Sequence, residues 1–167
     1  MLVGVPGAGK TTVGRSVAAA LDAPFVDLDE AIVRRAGKSV ERLFAEDGEG
    51  VFRALEAELG GAALGGAPSV IAPGGGFFAG DATRAMARGS GLVVYLQTEP
   101  AEAAKRLGGA AGRPLLEGGE TASRIAALLA QREAFYQEAE CTVATGDRSV
   151  ADVVASVVLL ARGHAGW

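Results

Sequence analysis

Short apolar runs alternate along the chain with longer stretches whose apolar residues recur at helical spacing. The apolar runs read MLVGV, PFVDLD, SVIAP, GLVVYLQ and CTVAT. The helical stretches are KTTVGRSVAAALD, residues 30–65 with breaks near Gly37 and Gly48, EPAEAAKRL, residues 121–138, and SVADVVASVVLLAR. Apolar strands that alternate with helices are typical of a parallel sheet covered on both faces. The pattern predicts one three-layer α/β domain over residues 1–167, with a central parallel sheet of about five strands.

The composition fits a globular protein and excludes several classes. Apolar residues make up 49% of the chain, charged residues 22%, and the net charge is −4. This charge offers no broad basic field for nucleic acid or an anionic membrane, and no apolar run reaches the roughly 18 residues of a spanning helix. A single cysteine, Cys141, excludes an internal disulfide, and the start lacks the pattern of a secretory leader. We expect a cytoplasmic monomer that binds neither nucleic acid nor membranes.

A glycine-rich tract, GVPGAGKTT, lies between the first predicted strand and the first predicted helix. Its Gly4, Gly9, Lys10 and Thr11 match the phosphate-binding pattern G-x-x-x-x-G-K-[ST] in the required context. Glycines let successive N–H groups turn inward around an anion, and the helix N-terminus adds its dipole. The lysine reaches the β- and γ-phosphates, and the threonine hydroxyl ligates Mg²⁺. We predict that a nucleoside triphosphate contacts Gly7, Ala8, Gly9, Lys10, Thr11 and Thr12.

Three classes of protein share such a loop: small-molecule kinases, signalling GTPases and mechanical ATPases. A GTPase usually reads guanine with an asparagine in N-K-x-D, and this chain has no asparagine. A mechanical ATPase normally carries an apolar strand that ends in Asp-Glu, which only Asp27, Asp29 and Glu30 imitate here. The sequence therefore favours a compact kinase.

Further motifs follow the glycine-rich tract in a fixed order. They are Asp27 with Asp29, Gly37-Lys38-Ser39-Val40, Phe44, Gly48-Glu49, Phe52-Arg53-Ala54-Leu55-Glu56, Gly74-Gly75-Gly76, Arg113-Pro114-Leu115-Leu116, and Arg132 with Tyr136. From Leu2 to about Leu160, this series resembles the shikimate kinase family. The resemblance implies a three-layer αβα P-loop kinase fold with a substrate-binding segment at about 29–60 and a lid at about 108–120. It also implies transfer of the γ-phosphoryl group of ATP to the 3-hydroxyl of shikimate, with Mg²⁺, on the route to chorismate and aromatic amino acids.

The resemblance assigns two arginines to the acceptor. Arg53 and Arg132 suit this role, because planar guanidinium groups bind a carboxylate bidentately. Glu56 lies three residues after Arg53 on the same helix face and is expected to hold its rotamer. The backbone N–H groups of Gly74, Gly75 and Gly76 are expected to approach the acceptor closely.

Two carboxylates are expected to bind the ring hydroxyls and Mg²⁺. By resemblance, Asp29 accepts hydrogen bonds from the ring hydroxyls and positions the attacking one, which is the main task in phosphoryl transfer. Asp27, two residues earlier on the predicted strand, points to the same side and orients Mg²⁺ together with Thr11. Each aspartate also suits a plainer role, which is to cap the following helix.

Two further arginines are assigned to ATP. Arg113 in the lid would neutralise charge near the phosphates, as an arginine finger does, and is counted as catalytic with Lys10 and Asp29. Arg106, just before the lid, would stack on adenine and bind ATP. Closure of the lid would exclude water from the transferring phosphoryl group.

Two other functions stay open from the sequence. One is a kinase of another polyol acid such as gluconate, which is favoured by Phe77-Phe78 directly after the glycine triplet, where aromatic rings would alter the pocket. Pro73, before the triplet, also removes one backbone donor. The other is a nucleotide-binding module without catalysis. The set of Lys10, Asp29, Arg53, Arg113 and Arg132 argues against that module.

Overall fold

The computed structural model describes residues 1–108 and 121–164, in which five strands form a three-stranded and a two-stranded hydrogen-bonded group. The strands are β1 (Leu2–Val3), β2 (Phe25–Asp27), β3 (Val70–Ala72), β4 (Val94–Gln97) and β5 (Cys141–Ala144). β4 pairs with both β1 and β5, β2 pairs with β3, and every pairing is parallel. β3 also contacts β1, so the two hydrogen-bonded groups lie side by side. The predicted number of strands and their parallel direction are confirmed.

Helices occupy most of the remaining described chain. They are α1 (Lys10–Ala20), α2 (Leu28–Ala36), α3 (Val40–Glu46), α4 (Gly48–Leu64), α5 (Asp81–Ser90), α6 (Pro100–Leu107), α7 (Thr121–Tyr136) and α8 (Val150–His164). The predicted breaks near Gly37 and Gly48 are confirmed. The sequence reading missed α5 and the short 3₁₀ turn at Phe77–Ala79. Ala87 is the buried residue of α5, and the sequence DATRAMARGS offers few large apolar side chains that would mark a helix.

The main core lies between the sheet and the flanking helices. Strand residues such as Val3, Ile71 and Leu96 are buried in it. α1 packs against α8, while α6 packs against α7 and α4 against α5. None of the helices in the described residues is long and apolar enough to cross a membrane.

A second, smaller cluster of buried residues holds α2, α3 and α4 together. Ile32, Leu43 and Phe52 form its centre, and the Phe44 ring lies 4.8 Å from the Phe52 ring. Gly37 ends α2 in the left-handed conformation, and the Ser39 side chain caps α3 by accepting from the Arg42 N–H at 3.3 Å. The segment predicted to bind the acceptor is therefore a compact helical unit with its own core.

Because all strands run in the same direction, their carboxyl ends meet at one edge of the sheet. The glycine-rich tract follows β1 there, the glycine triplet follows β3, and Asp27 ends β2. Ligands of open α/β sheets bind outside the carboxyl ends of the strands. The fold thus brings the motifs of the sequence to a single edge.

Candidate active site

The phosphate-binding tract packs closely against the backbone of β4 and α6. A Cβ atom on Gly7 would lie 2.4 Å from the Ala103 carbonyl oxygen, and one on Gly4 would lie 2.7 Å from the Leu96 carbonyl oxygen. Gly7 has a φ of 84°, which side chains rarely adopt. Glycine at these positions is therefore required by both space and conformation. α1 begins at Lys10, so its N-terminus ends this loop.

The ammonium group of Lys10 lies across the loop. Its Nζ donates hydrogen bonds to the carbonyl oxygens of Gly4 at 2.9 Å and Val5 at 3.1 Å. These bonds hold the positive charge of Lys10 at the N-terminal end of α1, where the helix dipole also favours an anion.

A cavity of about 650 Å³ opens at this edge of the sheet. Several predicted site residues line it, namely Gly7, Ala8, Gly9, Lys10, Thr11, Thr12, Asp27, Asp29, Gly74, Gly75 and Arg106. The residues predicted to contact the triphosphate, the metal and part of the acceptor therefore share one cleft. Pro73 also lines it.

Asp27 connects the phosphate loop to the helical segment behind it. Its Oδ2 accepts a hydrogen bond from the Thr11 hydroxyl at 2.7 Å. Its Oδ1 accepts from the N–H groups of Asp29 at 3.1 Å and Glu30 at 3.3 Å and so caps α2. Asp27 therefore does cap the helix, while its other oxygen faces Thr11.

The extended backbone conformation predicted for Asp29 is wrong. β2 ends at Asp27, and Asp29 lies in the first turn of α2 rather than on an extended strand. The cap supplied by Asp27 starts the helix earlier than the apolar pattern of PFVDLD indicated. Asp27 and Asp29 still line the same cleft, although not through strand alternation.

The oxygens of Thr11 and Asp27 fit Mg²⁺. Mg²⁺ is commonly bound through one or two carboxylates together with the phosphates of the substrate, and it keeps several waters. A hydroxyl and a carboxylate oxygen 2.7 Å apart beside the phosphate loop are hard donors of this kind. Among the described residues, no group of three or more histidine, cysteine, aspartate or glutamate side chains is arranged to hold a metal ion.

The glycine triplet is where the acceptor residues converge. A Cβ atom on Gly74 would lie 2.7 Å from Glu56 Oε1 and 3.0 Å from Asp29 Oδ1. On Gly76 it would lie 2.5 Å from one guanidinium nitrogen of Arg53. Side chains from α2 and α4 thus lie directly against a turn that has none of its own.

Arg53 is held by two glutamates on the same helix. One nitrogen donates to Glu56 Oε2 at 2.6 Å, while Nε and the other nitrogen donate to Glu49 Oε1 at 3.2 and 3.0 Å. The predicted pairing with Glu56 is present, and Glu49 was missed. The Arg53 side chain stays about a third exposed, at 32%, so the guanidinium is fixed without being covered.

Glu56 is almost fully buried beneath this arginine, with 3% of its side chain exposed. Within the described chain, its Oε1 has no hydrogen-bond partner. Burial raises the pKa of Glu56 above its usual value, while Arg53 acts in the opposite direction. The carboxylate therefore depends on Arg53 for its charge compensation.

Arg132 reaches the same turn from α7. A Cβ atom on Gly75 would lie 3.5 Å from one guanidinium nitrogen of Arg132. The same Cβ atom would lie 3.4 Å from the Gly4 carbonyl oxygen. Arg53 and Arg132 therefore contact adjacent residues of the triplet, beside the phosphate loop. Two guanidinium groups at one turn form a natural carboxylate site.

Arg106 lies at the other end of the cleft. Its nitrogens donate to the Thr145 hydroxyl at 3.0 Å and the Thr145 carbonyl at 2.7 Å, and Nε donates to Glu102 at 3.3 Å. Thr145, Arg148 and Ser149 also line the cleft, and none of them was predicted as a site residue. Their position just after β5, at the carboxyl edge of the sheet, was the available signal.

Arg113 and residues 109–120 of the predicted lid lie outside the described residues. Phe77 and Phe78 are each only 1% exposed and belong to the main core, with the Phe77 ring filling the space above Gly60. These rings therefore do not line the cleft, because the 3₁₀ turn directs them into the core.

Comparison with known proteins identifies the family. A sequence model of the shikimate kinase family matches residues 6–161. A shikimate kinase of Thermobifida fusca (strain YX) is 49% identical over 150 residues, covering 89% of this chain and 86% of that one. The structure of an Acinetobacter baumannii shikimate kinase in complex with shikimate matches with a TM-score of 0.90 at 32% identity, covering 97% of this chain and 91% of that one. A gluconokinase from Sinorhizobium meliloti 1021, with a TM-score of 0.62 at 19% identity over 99% and 93% of the two chains, shares the fold alone. The family model covers most of the chain and the relatives share its full-length fold, so this chain belongs to the shikimate kinase family.

Proposed function

We propose that this protein transfers the γ-phosphoryl group of ATP to the 3-hydroxyl of shikimate, giving shikimate 3-phosphate and ADP. One observation carries the proposal. The glycine triplet lies between the phosphate loop and two arginines, since a Cβ on Gly75 would be 3.4 Å from the Gly4 oxygen and 3.5 Å from Arg132. An acid held by those arginines would present its ring to the end of the triphosphate.

Shikimate has one carboxylate and three hydroxyls, and the acceptor side of the cleft matches both. Arg53 and Arg132 bind the carboxylate, with Arg53 already fixed by Glu49 and Glu56. The backbone N–H groups of the glycine triplet can approach the ring because no side chain intervenes.

Asp29 positions the attacking hydroxyl. It lies at the start of α2 and against Gly74, so its carboxylate faces the same turn as the arginines. Phosphoryl transfer requires mainly alignment and charge stabilisation, so holding the hydroxyl in line is the chief contribution of this carboxylate.

The nucleotide side is formed by the phosphate loop. Its N–H groups and Lys10 bind the β- and γ-phosphates, and Arg106, which lines the same cleft, stacks on adenine. Arg113 supplies a further positive charge from the lid. Thr11 and Asp27 would hold Mg²⁺, which neutralises charge on the phosphates.

We further propose that the protein acts as a cytoplasmic monomer in the synthesis of chorismate and aromatic amino acids. Size-exclusion chromatography with light scattering would measure the oligomeric state directly.

A coupled ADP-release assay with shikimate, quinate and gluconate tests the proposed function. We expect turnover with shikimate, and mass spectrometry and NMR of the product should show phosphate on the 3-hydroxyl. Preferential turnover of gluconate would indicate a kinase of another polyol acid. Binding of ATP without turnover of any acceptor would indicate a nucleotide-binding module.

A further inference from the structure

Tyr136, the last residue of α7, joins two parts of the acceptor site without lining the cleft. Its ring is fully buried, and its hydroxyl donates a 2.5 Å hydrogen bond to the Gly75 carbonyl oxygen. Arg132 precedes it by one helical turn; burial raises the pKa of the Tyr136 hydroxyl, and the positive charge of Arg132 lowers it less strongly. Because the hydroxyl donates to Gly75, its oxygen keeps lone pairs that can accept from a guanidinium, which can only donate.

The glycine triplet is held at each of its three carbonyl groups. The Gly74 oxygen accepts from the Phe77 N–H at 3.1 Å, and the Gly76 oxygen accepts from the Ala79 N–H at 3.1 Å. These are local turns of the chain. The middle carbonyl, that of Gly75, is held instead by Tyr136 from a different helix.

Fixing the Gly75 carbonyl also fixes the next N–H group. The described chain has no cis peptide bonds, and in a planar trans peptide the C=O and the following N–H point in opposite directions. The Gly76 N–H therefore points away from Tyr136. Gly76 itself lies against the Arg53 guanidinium.

We propose that Tyr136 is a positioning residue for the acceptor carboxylate. Through one hydroxyl it sets the orientation of Arg132 and of the Gly75–Gly76 peptide, so both sides of the carboxylate site keep a fixed spacing. This inference rests on the proposed function, since it assumes that Arg132 and the triplet bind the acid.

Tyr95 provides a matched control. Its ring stacks on that of Tyr136, with centroids 5.2 Å apart and planes at 26°. Its hydroxyl is also buried, but it has no hydrogen-bond partner in the described part of the chain. Tyr95→Phe and Tyr136→Phe therefore each remove one buried hydroxyl group from this pair of rings. Only Tyr136→Phe also removes a hydrogen bond to the glycine triplet.

Steady-state kinetics test the positioning role. In Tyr136→Phe the shikimate KM should rise roughly three- to tenfold, the effect of one lost hydrogen bond, while the ATP KM stays unchanged. Tyr95→Phe should leave both KM values unchanged. A purely structural role would not separate the two substrates in this way. If wild type phosphorylates shikimate and both variants have its shikimate KM, the inference is wrong and the proposed function stands.

A measurement without ligand separates this inference from the proposed function. In ¹H–¹⁵N NMR spectra of the free proteins, Tyr136→Phe should shift the amide signals of Gly75 and Gly76 and the side-chain signal of Arg132. Tyr95→Phe should leave these three signals in place. If wild type does not turn over shikimate, the proposed function fails, and these shifts then decide whether Tyr136 sets the geometry. Unchanged signals in Tyr136→Phe would overturn the inference.

Discussion

The hydroxyl of Thr11 lies 2.7 Å from Oδ2 of Asp27, while Oδ1 of the same carboxylate caps α2. One side chain thus joins the helix that follows the phosphate loop to the helix that carries Asp29. The spacing between the start of α1 and the start of α2 therefore depends on this carboxylate. The two functions of Asp27 can be separated by substitution.

Asp27→Asn should weaken Mg²⁺ dependence without loss of fold. Asparagine caps helices about as well as aspartate, so the melting temperature should change little. The lost negative charge should raise the Mg²⁺ concentration needed for half-maximal activity by about tenfold. A Mg²⁺ titration at fixed ATP measures this. Asp22→Asn, at an exposed residue with positive φ that suits asparagine, is the control; equal titrations for the two variants would remove Asp27 from the metal site.

Lys10→Met should nearly abolish turnover. Methionine keeps most of the apolar stem but removes the charge that Nζ holds beside the Gly4 and Val5 carbonyls. Loss of such a preorganised charge should lower kcat by about 10²- to 10³-fold. Lys105→Met is the control, because Lys105 is 77% exposed and pairs only loosely with Glu102 at 3.6 Å. Retention of wild-type kcat by Lys10→Met would contradict the assigned role.

Arg53→Lys should weaken the binding of shikimate and leave the binding of ATP unchanged. Lysine keeps the charge but cannot bond Glu49, Glu56 and a carboxylate at the same time. The shikimate KM should rise roughly ten- to a hundredfold, about 1.5–3 kcal/mol, with the ATP KM unchanged. Arg42→Lys, on the same helical segment and 69% exposed, should behave as wild type. Isothermal titration with shikimate provides an independent measurement, and unchanged affinity in Arg53→Lys would mean that the carboxylate lies elsewhere.

The space around Gly76 leads to another prediction about the same arginine. Gly76 has a φ of −93°, so alanine is allowed by the backbone, but its Cβ would lie 2.5 Å from Arg53. Since the guanidinium is the end of a flexible side chain, it should move, raising the shikimate KM with little change in melting temperature.

Gly89→Ala, in α5 with no atom within 4 Å of the added Cβ, is the matched control. It should keep wild-type kinetics and gain up to about 1 kcal/mol of stability from helix propensity. A shikimate KM as low in Gly76→Ala as in Gly89→Ala would show that Arg53 does not need its observed position.

Sequence alone predicted the parts of the site that depend on local spacing. Lys10 and Thr11 follow from one strand–loop–helix motif, and Arg53 with Glu56 follows from their separation on one helix. The parallel sheet then brings Gly74–Gly76 to the same edge. These features are encoded in short stretches of chain.

The rest depended on contacts between distant residues. The bond from Tyr136 to Gly75 joins positions 61 residues apart, and that from Arg106 to Thr145 joins positions 39 apart. No local pattern specifies such pairs. Asp29 was misassigned to a strand because a capping bond from Asp27 outweighed the apolar pattern. The Phe77 ring packs against Gly60, which is distant in sequence. No local pattern could therefore predict that this ring turns away from the pocket.

Buried Glu56 predicts a pH dependence of stability. Its carboxyl group titrates near 4.5 in the unfolded chain, and burial raises its pKa in the folded protein, assisted by Asp29 and opposed by Arg53 and Arg132. Between these two pKa values the folded state binds more protons than the unfolded state. The contribution of Glu56 to the free energy of unfolding must therefore fall as the pH rises from 4.5 through the folded pKa, and it is constant above that value.

Glu56→Gln removes this titration while keeping a similar shape. Urea unfolding of wild type and variant at several pH values from 4 to 8 should show wild type losing stability relative to Glu56→Gln as the pH rises above 4.5. The difference should then become constant. Glu58→Gln, on the same helix with 59% of its side chain exposed, should follow wild type at each pH. A wild type that instead gains stability relative to Glu56→Gln over this range would mean that Arg53 more than offsets burial, which reverses the sign of the shift.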